Sequence, residues 1–237
     1  MRRIVGVLGG MGPTATVDFL TKVIALTPAE CDQEHVPLLV HQVPQIPDRS
    51  TAIMQGSDAP FAPMLQGLRR LATAGAEFAA IPCSSAHHWY DQLADSQPLK
   101  ILHIVDAVWL ELVRREMGSC RVALLATRGT IKSDMYVDRL RSRSMTIVPI
   151  DEPTQRLVDH AIAQIKGGNR LVAARSAGEA ANRAFAQGAE ALILACTELP
   201  IALEERAGAP TYIDATLALA RHCVSESIQG VPPPIKP

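Results

Sequence analysis

Two cysteines stand at matching places in a sequence that repeats itself. Gly75-Ala76-Glu77 runs through Phe78-Ala79-Ala80-Ile81-Pro82 to Cys83. Gly188-Ala189-Glu190 runs through Ala191-Leu192-Ile193-Leu194-Ala195 to Cys196, so triplet and cysteine share one offset of 113 residues. Hydroxyl residues follow each thiol, Ser84-Ser85 in one case and Thr197 in the other, where a helix or turn opens. A free thiol is only a few per cent ionised at pH 7, whereas unpaired N–H groups at a helix start favour a thiolate and any bound carboxylate. The setting therefore predicts a lowered pKa for both cysteines. If the two halves face each other about a pseudo-twofold axis, the sulfurs approach one cleft from opposite sides. Two acid/base groups on opposite faces of one carbon are what inversion of a stereocentre requires.

Other chemistries account for less of this pattern. A cysteine protease needs one thiolate, a His base and an oxyanion hole, and leaves the second cysteine unexplained. Cys83, His87 and His88 offer soft metal ligands, but no fourth ligand stands at a suitable spacing, so no metal is expected. His87 and His88 otherwise read as helix residues, one touching the cleft and one solvated. Cys31, Cys120 and Cys223 read as inert small hydrophobes. Five cysteines without a C-x-x-C pair argue against a disulfide framework, and all are expected to be free thiols.

Charged and hydroxyl residues near the expected cleft suit a small carboxylate ligand. Arg49, in the proline-rich segment after the second apolar run, could bind one through paired donors. Lys166 ends a helical stretch and reads either as a cleft cation or as a partner for that helix's negative end. Thr127 and Thr130 could touch ligand or cap a helix. Gly9-Gly10-Met11-Gly12-Pro13 formally matches a dinucleotide turn from Gly10 to Ala15, yet no acidic residue ends the second run, His41-Gln42-Val43. A glycine turn can equally bring backbone N–H groups to a small carboxylate, with Met11 covering it.

The elements that must position these groups alternate. Ile4 to Leu8, Leu38 to Val43, Phe78 to Pro82, Val122 to Ala126 and Ala191 to Ala195 read as strands. Ala15 to Leu26, Pro60 to Ala74, Val105 to Met117, Asp134 to Arg141, Thr154 to Lys166 and Ala173 to Ala186 read as helices. Such alternation predicts an α/β protein with parallel sheets flanked by helices and function at the strands' carboxyl ends. Arg3 to Gly10 and Arg121 to Thr127 also resemble each other, so two similar pseudo-symmetric domains are expected with the cleft between them. The first takes residues 1–99 and, through a returning helix, 212–230; the second takes 100–211; residues 231–237, proline-rich, form a flexible tail. A chain of 237 residues with 48% hydrophobic residues, 20% charged residues and net charge -1 is neither a disordered tail nor a basic nucleic-acid binder. No apolar run reaches membrane-spanning length and the start lacks a signal segment, so a cytoplasmic protein with no membrane or nucleic-acid partner is expected.

The segments Leu8-Gly9-Gly10-Met11-Gly12-Pro13, Asp32-Gln33-Glu34-His35, Ile46-Pro47-Asp48-Arg49, Pro82-Cys83 with Ala86-His87, Leu125-Ala126-Thr127 with Gly129-Thr130, and Cys196-Thr197-Glu198, in that order, resemble the aspartate/glutamate racemase family, the cofactor-independent amino-acid racemases. The resemblance implies a homodimer, no pyridoxal phosphate, an amino-acid substrate, and Cys83 and Cys196 as the catalytic acid/base pair. It also implies that Arg49 and Lys166 favour an acidic side chain, while Met11, Ser84, Ser85, Thr197 and Glu198 touch the substrate. The family usually carries Asn-Thr where this chain has Ser84-Ser85, and a hydroxyl is shorter than an amide with fewer hydrogen-bonding atoms. A relative acting as a maleate isomerase or hydantoin racemase, and an amino-acid-binding homologue without catalysis, are the alternative readings.

Overall fold

In the computed structural model, which describes residues 2–203, 209 and 211–229, the repeat is a duplicated sheet. The first half runs β1 (Val5–Gly9), α1 (Pro13–Leu26), β2 (Leu38–Gln42), α2 (Arg49–Gln55), α3 (Phe61–Thr73), β3 (Phe78–Ala80), α4 (Tyr90–Asp95), β4 (Lys100–Ile101) and α5 (Ile104–Arg114). The second runs β5 (Arg121–Leu125), α6 (Arg128–Lys132), α7 (Met135–Arg141), β6 (Thr146–Val148), α8 (Glu152–Lys166), α9 (Arg170–Ala186), β7 (Ala191–Leu194), α10 (Glu198–Ala202), β8 (Tyr212–Asp214) and α11 (Ala215–Gln229). Each half holds a parallel four-stranded sheet, in the orders β2-β1-β3-β4 and β6-β5-β7-β8. The α/β expectation of two similar parallel sheets is thus met.

The repeated Gly-Ala-Glu triplet has a structural cause. Gly75 and Gly188 end α3 and α9 at φ 99° and 100°, a left-handed turn that glycine adopts without steric cost. The glutamates then hold the strand starts: Glu77 accepts from Ile4 N and Glu190 from Arg121 N, both at 2.7 Å. One device therefore sets the register of β3 against β1 and of β7 against β5.

Strand alternation sorts the core into layers. Val5, Val7, Phe78 and Ala80 of the first sheet share a buried cluster with Val122, Leu124, Ala191 and Ile193 of the second. The intervening residues, such as Leu8 and Ile81 or Leu125 and Leu194, face separate clusters on each sheet's other side. The layer between the halves is closed by exchange: α5 packs on α7 and β8, while α11 packs on α1 and α5. Phe78, wholly buried in that shared layer, contributes about 1.5–3 kcal/mol by removal from water.

Strand pairing corrects the expected domain boundary. Residues 212–230 are expected in the first half, yet β8 hydrogen-bonds to β7 and belongs to the second sheet. Likewise Lys100–Ile101 pairs with β3 in the first sheet, so the first sheet extends past residue 99. Only α11 returns to the first half as expected. Residues 231–237, read as a tail, lie outside the described residues. Among the described residues, no helix is long and apolar enough to cross a membrane.

Candidate active site

In sheets of this order the direction of winding reverses between β1 and β3, and between β5 and β7, and such reversals open a crevice at the strands' carboxyl ends. The loops leaving β1 and β3 carry Met11 and Cys83, and those leaving β5 and β7 carry Thr127 and Cys196. Those four residues line one cavity of about 100 Å³ between the halves, together with Arg49, Ser84, Ser85, Lys166, Thr197 and Glu198. These ten residues expected at the site are therefore brought together, whereas Thr130 is not among those lining the cavity. Gly12, Asp48, Ser50 and Ala195 complete the wall. A more open depression shares Asp48, Ser50, Thr127 and Lys166 with the cavity and leads to the surface.

The glycine turn after β1 answers to packing. A side chain on Gly10, at φ 95°, would lie 2.5 Å from the Val43 backbone, and one on Gly9 would collide with Thr16. Thr16 then accepts from Gly10 N at 2.9 Å and donates to Gly12 O at 3.0 Å, fixing the turn that presents Met11. The mouth closes by an equally tight approach. Gly129 N donates to Ser50 Oγ at 2.9 Å, and a Cβ on Gly129 would lie 2.5 Å from Ser50 Cα, so α2 and α6 meet across the halves.

The two sulfurs have different surroundings. Cys83 is buried, with Ser85 Oγ 3.5 Å from its sulfur. Ser84 caps nothing; its Oγ lies 3.0 Å from the hydroxyl of Tyr136, a buried residue of α7. Cys196 donates to Glu198 Oε2 at 2.9 Å, and Thr197 Oγ1 donates to the same oxygen at 2.9 Å. Burial and the adjacent Glu198 carboxylate push the Cys196 thiol well above its ordinary range, outweighing the opposing pull of Lys166. This overturns the expectation of a lowered pKa at Cys196. The helix after it, α10, spans only Glu198–Ala202, and its first residue supplies a full negative charge against the sulfur.

The cations are disposed for carboxylates. Of the five N–H donors of Arg49, three are taken by backbone carbonyls: Ile46 O at 3.1 Å and Pro47 O at 3.0 Å on Nη1, and Met11 O at 2.9 Å on Nη2. Nε is buried without a partner, so Nε–H and one Nη2–H are left uncommitted. The carbonyls hold the fork still, which lowers the entropy lost on binding. Asp48 caps α2 by accepting from Thr51 N at 2.7 Å. Burial would raise its pKa, but the Thr51 bonds and the Arg49 and Lys166 charges win and hold it below the usual carboxylate range. Lys166 is exposed at the end of α8, on the walls of both the cavity and the depression. Thr127 both lines the cavity and caps α6, accepting from Thr130 N at 3.3 Å.

Neither histidine lines the cavity. His87 is buried and pushed down to about 4 by desolvation, so its neutral ring donates from Nδ1 to Cys83 O at 2.9 Å and steadies the turn from behind. His88 is exposed. Sequence reasoning missed Asp48, Ser50 and Tyr136, and only Asp48, beside Arg49, had a local cue as an N-cap.

Residues 8–223 match the family model described as Asp/Glu/Hydantoin racemase. The chain belongs to this family. The Asp/Glu/hydantoin racemases are isomerases. A broad specificity amino-acid racemase, RacX, of Bacillus subtilis (strain 168) is 27% identical over 94% of this chain and 97% of its own. The Picrophilus torridus aspartate racemase structure superposes with TM-score 0.83 at 31% identity, covering 95% of this chain and 94% of that one. A glutamate racemase from Francisella tularensis, in complex with D-glutamate, shares the fold at TM-score 0.66 and 17% identity, over 97% of this chain and 82% of that one.

Proposed function

We propose that this racemase inverts Cα of an acidic amino acid, aspartate or glutamate, with Cys83 and Cys196 as the acid/base pair and no cofactor. The observation that carries the reading is the single small cavity walled by both sulfurs, each at the carboxyl end of the corresponding strand in its half. Burial and the Glu198 carboxylate disfavour a thiolate at Cys196, which suits it to deliver a proton in one direction while Cys83 serves as the base. The Cys83 thiolate takes the Cα proton of one enantiomer while Cys196 delivers its proton to the far face. The opposite enantiomer uses the reverse assignment.

Arg49 and Lys166 suit the two carboxylates of such a substrate, and Asp48 and Glu198 suit its ammonium group. Carbanion character at Cα is stabilised by donors to the α-carboxylate: the Arg49 pair, the Ser84 and Ser85 hydroxyls, and backbone N–H groups. Removing one preorganised donor of this kind costs roughly 3–4 kcal/mol in the transition state. The RacX and aspartate racemase likenesses support an amino-acid substrate and an acidic one, respectively. The test is circular dichroism of L- and D-aspartate and L- and D-glutamate, within a wider amino-acid panel, incubated with the enzyme. Loss of optical rotation for an acidic amino acid is expected; no change across the panel would reject racemisation.

A further inference from the structure

The cavity wall beside Cys83 is completed from the other half of the chain. Tyr136 is 1% exposed, packs in the core layer shared by the two sheets, and sends its hydroxyl to Ser84 Oγ at 3.0 Å. This is a contact between halves, made where the chain folds its cleft shut.

The direction of that bond follows from chemistry. Each hydroxyl has one hydrogen, so one hydrogen is used between them and one is left. A phenol is far more acidic than an aliphatic alcohol and is the better donor, so Tyr136 donates and Ser84 accepts. Burial keeps the phenol protonated, outweighing the opposing effect of the Ser84 hydrogen bond, and Cys83, Asp214 and Cys196 add to the effect of burial. The Ser84 hydrogen is then free. Ser84 sits at the N-cap of the short turn Ser85–Trp89 but makes no capping bond, and it lines the cavity whereas Tyr136 does not.

From this geometry we propose that Tyr136 is a positioning residue, which orients the Ser84 hydroxyl as a proton donor into the catalytic cavity. The inference rests on the racemase reading above and adds to it a residue that touches no substrate. Ser84 shares the cavity wall with both sulfurs, so a substrate carboxylate oxygen held there could accept from it. Because the tyrosine comes from the second half, Ser84 is oriented only when the two halves are together.

The experiment compares wild type, Tyr136→Phe, Ser84→Ala and the double variant, with kcat and KM measured for both enantiomers of aspartate and glutamate at 15 °C, after thermal melts locate each unfolding transition. Tyr136→Phe keeps the ring and its packing. We expect Ser84→Ala, which removes the donor itself, to lose about 10²–10³-fold in kcat/KM, and Tyr136→Phe, which leaves the donor in place but unaimed, to lose about tenfold. The double variant should be no worse than Ser84→Ala alone, since the tyrosine acts only through the serine. A purely structural tyrosine would depress activity equally in both backgrounds, and that additive result would overturn the proposal, as would a Tyr136→Phe enzyme within twofold of wild type. An inactive wild type across the panel would instead overturn the racemase reading together with this inference, so the two failures are separable.

Discussion

The two halves share strand order, the Gly-Ala-Glu device and a cysteine at the same strand end, yet they differ in what surrounds the sulfur. Cys83 meets neutral hydroxyls, Ser85 directly and the Ser84–Tyr136 pair beside it. Cys196 meets a carboxylate at 2.9 Å. A duplicated backbone therefore delivers the thiols symmetrically, while the residues after them make the two inequivalent. Racemisation has an equilibrium constant of one by symmetry, so kcat/KM must be equal in the two directions. Any difference between the thiols shows only in the separate kcat and KM values.

The largest effect should come from removing either sulfur. Cys83→Ala and Cys196→Ala should each lower racemisation by about 10²–10⁴-fold, the usual worth of a positioned acid or base, read as loss of circular dichroism change. A variant that stays fully active would break the paired account. Arg49→Lys should follow, with kcat/KM down about 10- to 100-fold, because an ammonium cannot keep the three carbonyl anchors and still leave donors uncommitted.

Glu198→Gln sharpens the comparison itself. Removing the negative charge should let the Cys196 thiolate form at lower pH, and each unit of pKa is a factor of ten in thiolate. Alkylation of Cys196 at pH 8, followed by mass spectrometry, should accelerate about tenfold, with Cys83 alkylation unchanged. Equal rates before and after the substitution would remove the proposed cause of inequivalence.

The smallest effect concerns the exchanged helices. Glu111 of α5 is buried against Arg114, Arg115 and, from α11, Arg221. Burial would raise its pKa, but these ion pairs hold it at about 2 against a reference of 4.5. Its stabilisation is therefore complete above pH 4.5 and is lost as pH falls toward 2. Glu111→Gln should lower Tm at pH 7 by about 5 °C and flatten the decline of Tm between pH 4.5 and pH 2 in calorimetric scans.

Much of this site was legible because its residues follow short apolar strands that alternate with plainly periodic helices. Cys83 and Cys196 were marked by an internal repeat, and Arg49, Thr127 and Lys166 by their places just after strands or at a helix end. Tyr136 was invisible, since it reads as one more apolar position of α7 and its partner Ser84 is brought to it only by the packing of the halves. The expectation of a lowered pKa at Cys196 weighs backbone polarity at a helix start alone; burial and the Glu198 carboxylate at hydrogen-bond distance, both products of packing, outweigh it. The pairing of Tyr212–Asp214 with β7 is set by packing of the folded chain, and its three residues carry no pattern that tells one sheet from the other.

The central claim is that two different groups serve the two faces of one carbon, and Cα isotope tracing in deuterated water tests it most directly. Starting from either enantiomer of the preferred acidic amino acid, early product should carry solvent deuterium at Cα while recovered substrate keeps its protium, as proton NMR of each enantiomer would show. Product that retains the original hydrogen would mean that a single group removes and returns the proton, and would contradict the account.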